Sequence, residues 1–175
     1  MKRRFEHLVD EHGGRLYQLA RLLLGRDDEA EDVVQDSLVK LWRHLPGLRA
    51  GQELAWLMTC TRNACLDVLR GKNRKRALLW LVAGDQRAVA GDAGDEPAPE
   101  ASLARDERVR ALRSALAAMP EPGRSLLILR DIQELDVATV ARTLELSENQ
   151  VKVYTFRARR ALRARLEEKQ HEQVA

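Results

Sequence analysis

The chain has 175 residues, of which 45% are hydrophobic, 33% charged and 4% aromatic, and its formal net charge is +3. Ala, Leu, Arg and Glu dominate and strand-like runs are missing, so the composition points to an all-α protein, long enough for one domain or two small ones. No apolar run approaches the roughly 18 residues of a membrane span, and no apolar stretch follows Met1-Lys2-Arg3-Arg4, so a cytoplasmic protein without membrane insertion or a signal peptide is expected.

The first predicted helix runs from Phe5 to Gly14, with Phe5, Leu8 and Val9 apolar. A second, Arg15 to Leu24, carries Leu16, Leu19, Ala20, Leu23 and Leu24 on one stripe. Gly25 stops it, and Asp27 or Asp28 caps the next helix. That helix, Asp28 to Leu45, has a core stripe of Val34, Leu38, Leu41 and Leu45. Asp32, Gln35, Asp36, Val39 and Trp42 form a second stripe. A tryptophan beside carboxylates on an otherwise exposed face suits a partner surface, because tryptophan is favoured as an interface anchor. A tryptophan closing the edge of the core fits the pattern equally.

Pro46 ends this helix, and Pro46 to Glu53 reads as a loop. From Glu53 to about Arg70 the next helix points Leu54, Leu57, Met58, Thr61, Cys65 and Val68 inward. Trp56, Cys60, Asn63, Asp67 and Arg70 make another stripe, which runs into Gly71-Lys72-Asn73-Arg74-Lys75-Arg76. Rings stack bases, amides read base edges and cations meet phosphates, so this surface suits splayed nucleic-acid bases. A core tryptophan with a solvated basic helix end is the plainer account. Cys60 and Cys65, five apart on a helix, face different ways and read as thiols in a reducing compartment, not as a disulfide. His7, His12, His44 and His171 are scattered. With no zinc-like spacing, no phosphate-binding glycine loop and no nucleophile–base pair, no metal, cofactor or catalytic residue is expected.

Leu78 to Ala83 closes the first domain, and Gly84 to Ala101 is rich in Gly, Ala, Pro and acids, the composition of a flexible linker. Charge follows the same division. Arg62, Arg70, Lys72, Arg74, Lys75 and Arg76 face Asp67 alone, whereas from Asp85 to Glu107 seven acids outweigh Arg87 and Arg105. After the linker, Val109, Leu112, Leu116 and Met119 mark a helix ended by Pro120 and Pro122, and Leu126 to Leu129 supply a small core. Asp136 caps a short helix bearing Val137, Val140, Ala141 and Leu144. Beyond Glu145-Leu146, Ser147 and Gln150 form a capping-box start to a basic helix. Val151, Thr155, Ala158, Leu162 and Leu166 give it one apolar or small stripe, leaving Lys152, Phe156, Arg157, Arg159, Arg160 and Arg163 to other faces. Two short helices, a tight turn and a basic second helix make a helix-turn-helix, whose second helix fits the major groove. An ordinary helical hairpin with a solvated basic face has the same pattern.

Taken together these stretches resemble the extracytoplasmic-function (group IV) class of the sigma-70 family of bacterial transcription initiation factors. LYQLARLLLG, DEAEDVVQDSLVKLW and AWLMTCTRNACLDVLRGKNRKR are similar to the family's first conserved domain, and ALAAMPEPGRSLLILRDIQELDVATVARTLELSENQVKVYTFRARRAL to its second, with the middle domain missing. The resemblance implies two small helical domains, a sigma-2-like bundle at 1–83 and a sigma-4-like helix-turn-helix domain at 105–175, joined by a flexible acidic linker at 84–104. It implies that core RNA polymerase docks on Asp32, Gln35, Asp36, Val39 and Trp42. It assigns −10 element contact and melting to Trp56, Asn63, Asp67, Arg70, Lys72, Arg74, Lys75 and Arg76, with Asn63 and Asp67 at the flipped non-template base and the loop Pro46 to Glu53 enclosing it. It assigns −35 contact to Ser147, Asn149, Lys152, Val153, Phe156, Arg157 and Arg160. The implied partners are core polymerase, promoter DNA and an anti-sigma factor. The chain departs from the family at Glu145, where glycine is usual, at Ala138-Thr139, where an acidic pair is common, and at Val153-Tyr154, where Ser-Arg is common. A dimeric repressor or activator that works without polymerase leaves the Asp32–Trp42 stripe and Asn63 unused, and a protein-binding adaptor leaves both basic patches as solvated charge.

Overall fold

The computed structural model describes the backbone of residues 1–83 and 100–174, and the side chains of residues 1–74 and 109–168. The described residues contain helices and no strand, and the chain divides into two compact units, Met1–Gly94 and Asp95–Ala175. Most of the stretch expected as a linker, residues 84–99, lies outside the described residues.

In the first unit, helix α1 (Lys2–Leu24) packs on α2 (Asp27–His44) and on α3 (Glu53–Ala83), and α2 packs on α3. The core joins Leu16, Leu19, Ala20 and Leu23 of α1 to Leu41, Leu45, Leu57, Met58 and Cys65. Complete burial of each large aliphatic side chain stabilises the unit by about 1.5–3 kcal/mol over leaving it exposed. The two helices expected before Gly25 are one. Gly13 and Gly14 lie inside α1, because Leu8, His12, Leu16, Leu19 and Leu23 form one unbroken buried row across them. A helical glycine costs about 1 kcal/mol relative to alanine, less than that row contributes. Gly25 ends α1 in the left-handed conformation, φ 79°, with its N–H donating to the Arg21 carbonyl at 2.9 Å.

The core face of α2 is rotated from the expected one. Ala30, Val33, Ser37 and Leu41 are buried, while Val34 and Leu38 are half-buried. Small residues govern the difference: Ala30 and Ser37 let the helices approach, and the buried Ser37 hydroxyl donates to the Val33 carbonyl at 2.8 Å. In α3, Ala55, Leu57, Met58, Thr61 and Cys65 are buried, with Leu54 and Val68 half-buried. The helix continues past Arg70 to Ala83, so the basic run Gly71–Arg76 is helical.

The second unit contains α4 (Glu100–Ala117), α5 (Gly123–Leu127), a π-helical turn (Ile128–Ile132), α6 (Val137–Leu144) and α7 (Glu148–Val174). Leu116, Met119, Leu126, Leu127, Ile128, Leu129, Val140 and Val151 make its core. Val109 and Leu112 are 38% and 40% exposed; among the described side chains of α4 Ala115 and Leu116 are buried, with Met119 buried just beyond its end.

Candidate nucleic-acid interface

In the first unit, the predicted stripe of α3 is on the surface. Asn63, Asp67 and Arg70 are exposed, and Trp56 and Cys60 are half-buried. Trp56 does not stand alone. Its ring centroid is 5.4 Å from that of His44, at 39°, and His44 Nδ1 donates to the Lys40 carbonyl at 2.9 Å, which sets the imidazole's orientation and tautomer. Asn63 accepts from Arg62 at 3.4 Å through Oδ1, and Asp67 accepts from Arg70 at 2.9 Å. Lys72 reaches back to Glu29 of α2 at 2.6 Å. Arg74 is exposed; Lys75 and Arg76 continue the helix, with side chains outside the described set. Two cations of the predicted DNA face, Arg70 and Lys72, are thus already paired within the unit. Such exposed pairs are worth little, about 0–1 kcal/mol, so a phosphate can replace either carboxylate.

Asp32, Gln35, Asp36, Val39 and Trp42 are all exposed along α2, with Val39 at 49% and Trp42 at 41%. Trp42 lies at the core edge and is also exposed. Its ring meets Phe5 edge to face, centroids 5.1 Å apart at 87°, which fixes it at the core edge while the rest of the ring faces outward.

In the second unit each predicted element of the helix-turn-helix forms. Asp136 caps α6, accepting from the Thr139 N–H at 2.8 Å and the Thr139 hydroxyl at 2.6 Å. These bonds, the hydroxyl first, hold its carboxyl below the usual carboxylate range. Glu145 makes the turn in the left-handed conformation, φ 54° and ψ 42°. The capping box at α7 is reciprocal: the Ser147 N–H donates to Gln150 Oε1 at 2.8 Å, and the Gln150 N–H to Ser147 Oγ at 3.2 Å. Val151, Thr155 and Ala158 are buried, which turns Ser147, Asn149, Lys152, Val153, Phe156, Arg157 and Arg160 outward together. Phe156 is 69% exposed. Arg159 is different: its guanidinium makes a two-pronged pair with Asp131, Nε to Oδ2 at 2.9 Å and Nη2 to Oδ1 at 2.6 Å, and so ties α7 to the π-helical turn.

The long-range polar pairs, Arg159 with Asp131 and Lys72 with Glu29, gave no periodic signal in the sequence, since they join residues 28 and 43 positions apart. Among the described residues no group of His, Cys, Asp or Glu is placed to hold a metal ion, and no helix is long and apolar enough to cross a membrane.

Comparison with known proteins agrees with this geometry. The family described as Sigma-70 region 2 matches residues 8–75, and the one described as Sigma-70, region 4 matches residues 109–162. The chain is 30% identical to the RNA polymerase sigma factor CnrH of Cupriavidus metallidurans, over 95% of this chain and 88% of that protein. It is 32% identical to the ECF RNA polymerase sigma factor SigL of Mycobacterium tuberculosis, over 92% and 88%. The ECF RNA polymerase sigma factor SigE of Mycolicibacterium smegmatis is 30% identical over 91% of this chain, which spans only 60% of that longer protein. Among solved structures, CnrH in complex with the cytosolic domain of CnrY superposes with a TM-score of 0.68 at 27% identity, over 95% of this chain and 90% of that one. The sigma factor RpoE in complex with the anti-sigma factor NepR, from Bartonella quintana, has a TM-score of 0.69 at 23% identity, over 94% and 97%, and shares the fold.

Proposed function

The chain belongs to the sigma-70 family, in its extracytoplasmic-function class, and from that membership we propose that it binds core RNA polymerase and directs promoter-specific initiation by recognising −35 and −10 elements and promoting strand opening. Residues 1–83 dock on polymerase through Asp32, Gln35, Asp36, Val39 and Trp42 and engage the −10 element through Trp56, Asn63, Asp67, Arg70, Lys72, Arg74, Lys75 and Arg76. Residues 84–104 act as a tether. Residues 105–175 read the −35 element through Ser147, Asn149, Lys152, Val153, Phe156, Arg157 and Arg160. The chain works in the cytoplasm, by binding and not by catalysis. As CnrH is bound by the cytosolic domain of CnrY, so an anti-sigma factor controls this chain.

The observation that carries the reading is the outward face of α7. Cations and uncovered apolar groups share one exposed surface on a helix whose opposite stripe is buried. Phosphate contacts from Arg157 and Arg160 position the helix, and base edges are read by Lys152, Val153 and Phe156. An apolar Val153 at a position where the family has serine shifts that contact from a hydrogen bond toward a thymine methyl group. The test is transcription in vitro with purified core polymerase. Adding the chain is expected to create a defined start site with footprints over both elements. Unchanged start-site selection rejects the proposal.

A further inference from the structure

We propose that Arg4 is a positioning residue for base capture: its guanidinium holds the Leu45–Glu53 loop in one conformation without touching DNA. This deepens the function proposed above and rests on it, since it takes that loop to enclose the extruded base.

Arg4 lies in the first turn of α1, yet its guanidinium reaches the connection between α2 and α3. Nη2 donates to Glu53 Oε1 at 2.6 Å and to the Leu48 carbonyl at 2.8 Å, and Nη1 donates to the Leu45 carbonyl at 3.4 Å. One side chain therefore joins the start, the middle and the end of the loop. Both anchor points are buried, Leu45 and Glu53, whereas Pro46, Gly47, Arg49, Ala50, Gly51 and Gln52 between them are exposed. The loop's own backbone bonds are local and long, Leu48 N–H to the Leu45 carbonyl at 3.3 Å and Gln52 N–H to the Arg49 carbonyl at 3.2 Å. A turn built only from such bonds opens readily.

The loop also borders the aromatic platform. It leaves α2 just after His44, and at its far end the Trp56 N–H donates to the Gln52 carbonyl at 3.0 Å. A shift of the loop moves one wall beside the Trp56–Asn63 surface. Burial alone acts to raise the Glu53 carboxyl, but the hydrogen bond from Arg4 and those from the backbone of Glu53 and Gly51 outweigh it and leave the group below the ordinary range. The ionised carboxylate is thus held where the guanidinium needs it. A planar guanidinium can serve two carbonyls and a carboxylate at once, which a lysine ammonium on a flexible stem does less well.

The experiment uses the full chain with core polymerase and a promoter set differing by one −10 base at a time. A wrong base at the captured position, which lowers wild-type initiation about 10-fold or more, is expected to lower Arg4→Met initiation by less than about 3-fold. Glu53→Gln is expected to move the same way and Arg4→Lys to fall between, with core affinity and the −35 footprint at wild-type values. In the free chain, amide hydrogen exchange at residues 48–52 is expected to quicken in Arg4→Met. Initiation falling by one factor on every promoter, with base preference kept, overturns the proposal, as does unchanged exchange. Should Arg4→Met fail to fold, Arg4→Lys and Glu53→Gln carry the same comparison. If the wild-type chain shows no −10 preference with core polymerase, base capture itself is rejected, and the exchange data then report the clamp separately.

Discussion

Arg157 and Arg159 stand two residues apart on α7, and apolar periodicity leaves both off the core stripe. Structure separates them, because Arg159 is committed to Asp131 while Arg157 is exposed on the outward side of α7. Arg157→Ala is therefore expected to weaken −35 binding and reduce the salt slope of binding by about 1, the loss of one phosphate contact. Arg159→Ala is expected to leave that slope unchanged. Fluorescence anisotropy over a salt series checks both, and equal slopes for the two variants contradict the assignment. Glu145 is the second case where one residue matters. A non-glycine residue at φ 54° carries strain of ~1 kcal/mol or more, and glycine relieves it while adding entropy to the unfolded chain. The net gain expected for Glu145→Gly is about 0.5–1 kcal/mol in urea denaturation; a lowered midpoint means that the turn is unstrained. This position was legible because the resembled family usually has glycine there. Arg4, Glu29 and Asp131 were not, since nothing local marks a partner tens of residues away.

Element boundaries show the same divide. Caps are local chemistry, and Asp136, Ser147 and Gln150 act as their spacing predicts, whereas Asp27 and Asp28 fall inside the first turn of α2, whose N-cap is Arg26 with no side-chain cap bond. Asp136→Ala is expected to cost about 1 kcal/mol through loss of the α6 cap. Because the folded-state pKa of Asp136 is depressed, its contribution is present above the unfolded value of about 3.9 and is lost as pH falls through the folded value. Asp136→Asn should flatten the acid limb of the stability profile, and an unchanged limb argues that other carboxyls dominate it. What local rules missed were choices set by packing. Gly13 and Gly14 stay helical because α1 must present one continuous row to α2 and α3, and α2 turns on Ala30 and Ser37 because small side chains permit close approach. Neither preference is visible from apolar periodicity, which ranks valine above serine for burial. The exposed ridge of α2 was legible because its outward stripe and the ring of Trp42 are large and polar-flanked. Trp42→Ala combined with Asp32→Ala is expected to weaken core polymerase binding roughly 10-fold or more, the scale of an interface anchor. Wild-type core affinity in the double variant removes the ridge from the docking surface.

At the scale of the whole molecule, the proposed function divides one task between the two units by energy. Opening DNA must overcome stacking of ~1.4 kcal/mol per base-pair step, whereas capture of an extruded base returns about 1–3 kcal/mol. Capture of a base or two at the Trp56–Asn63 surface offsets a small part of a bubble many steps long. The proposed −35 face of α7 adds affinity and register, and because it is assigned to duplex DNA it favours closed and open states alike. The chain alone is then expected to bind promoter DNA weakly and to open none of it. With polymerase supplying the remaining free energy, capture by Asn63 becomes the differential contact. Asn63→Ala is expected to leave the closed complex near its wild-type level and to reduce permanganate reactivity of unpaired thymines, while Arg157→Ala reduces both together. Wild-type permanganate reactivity in Asn63→Ala, or opening by the chain without polymerase, contradicts this division, because either result places the melting energy outside the contacts proposed on α3.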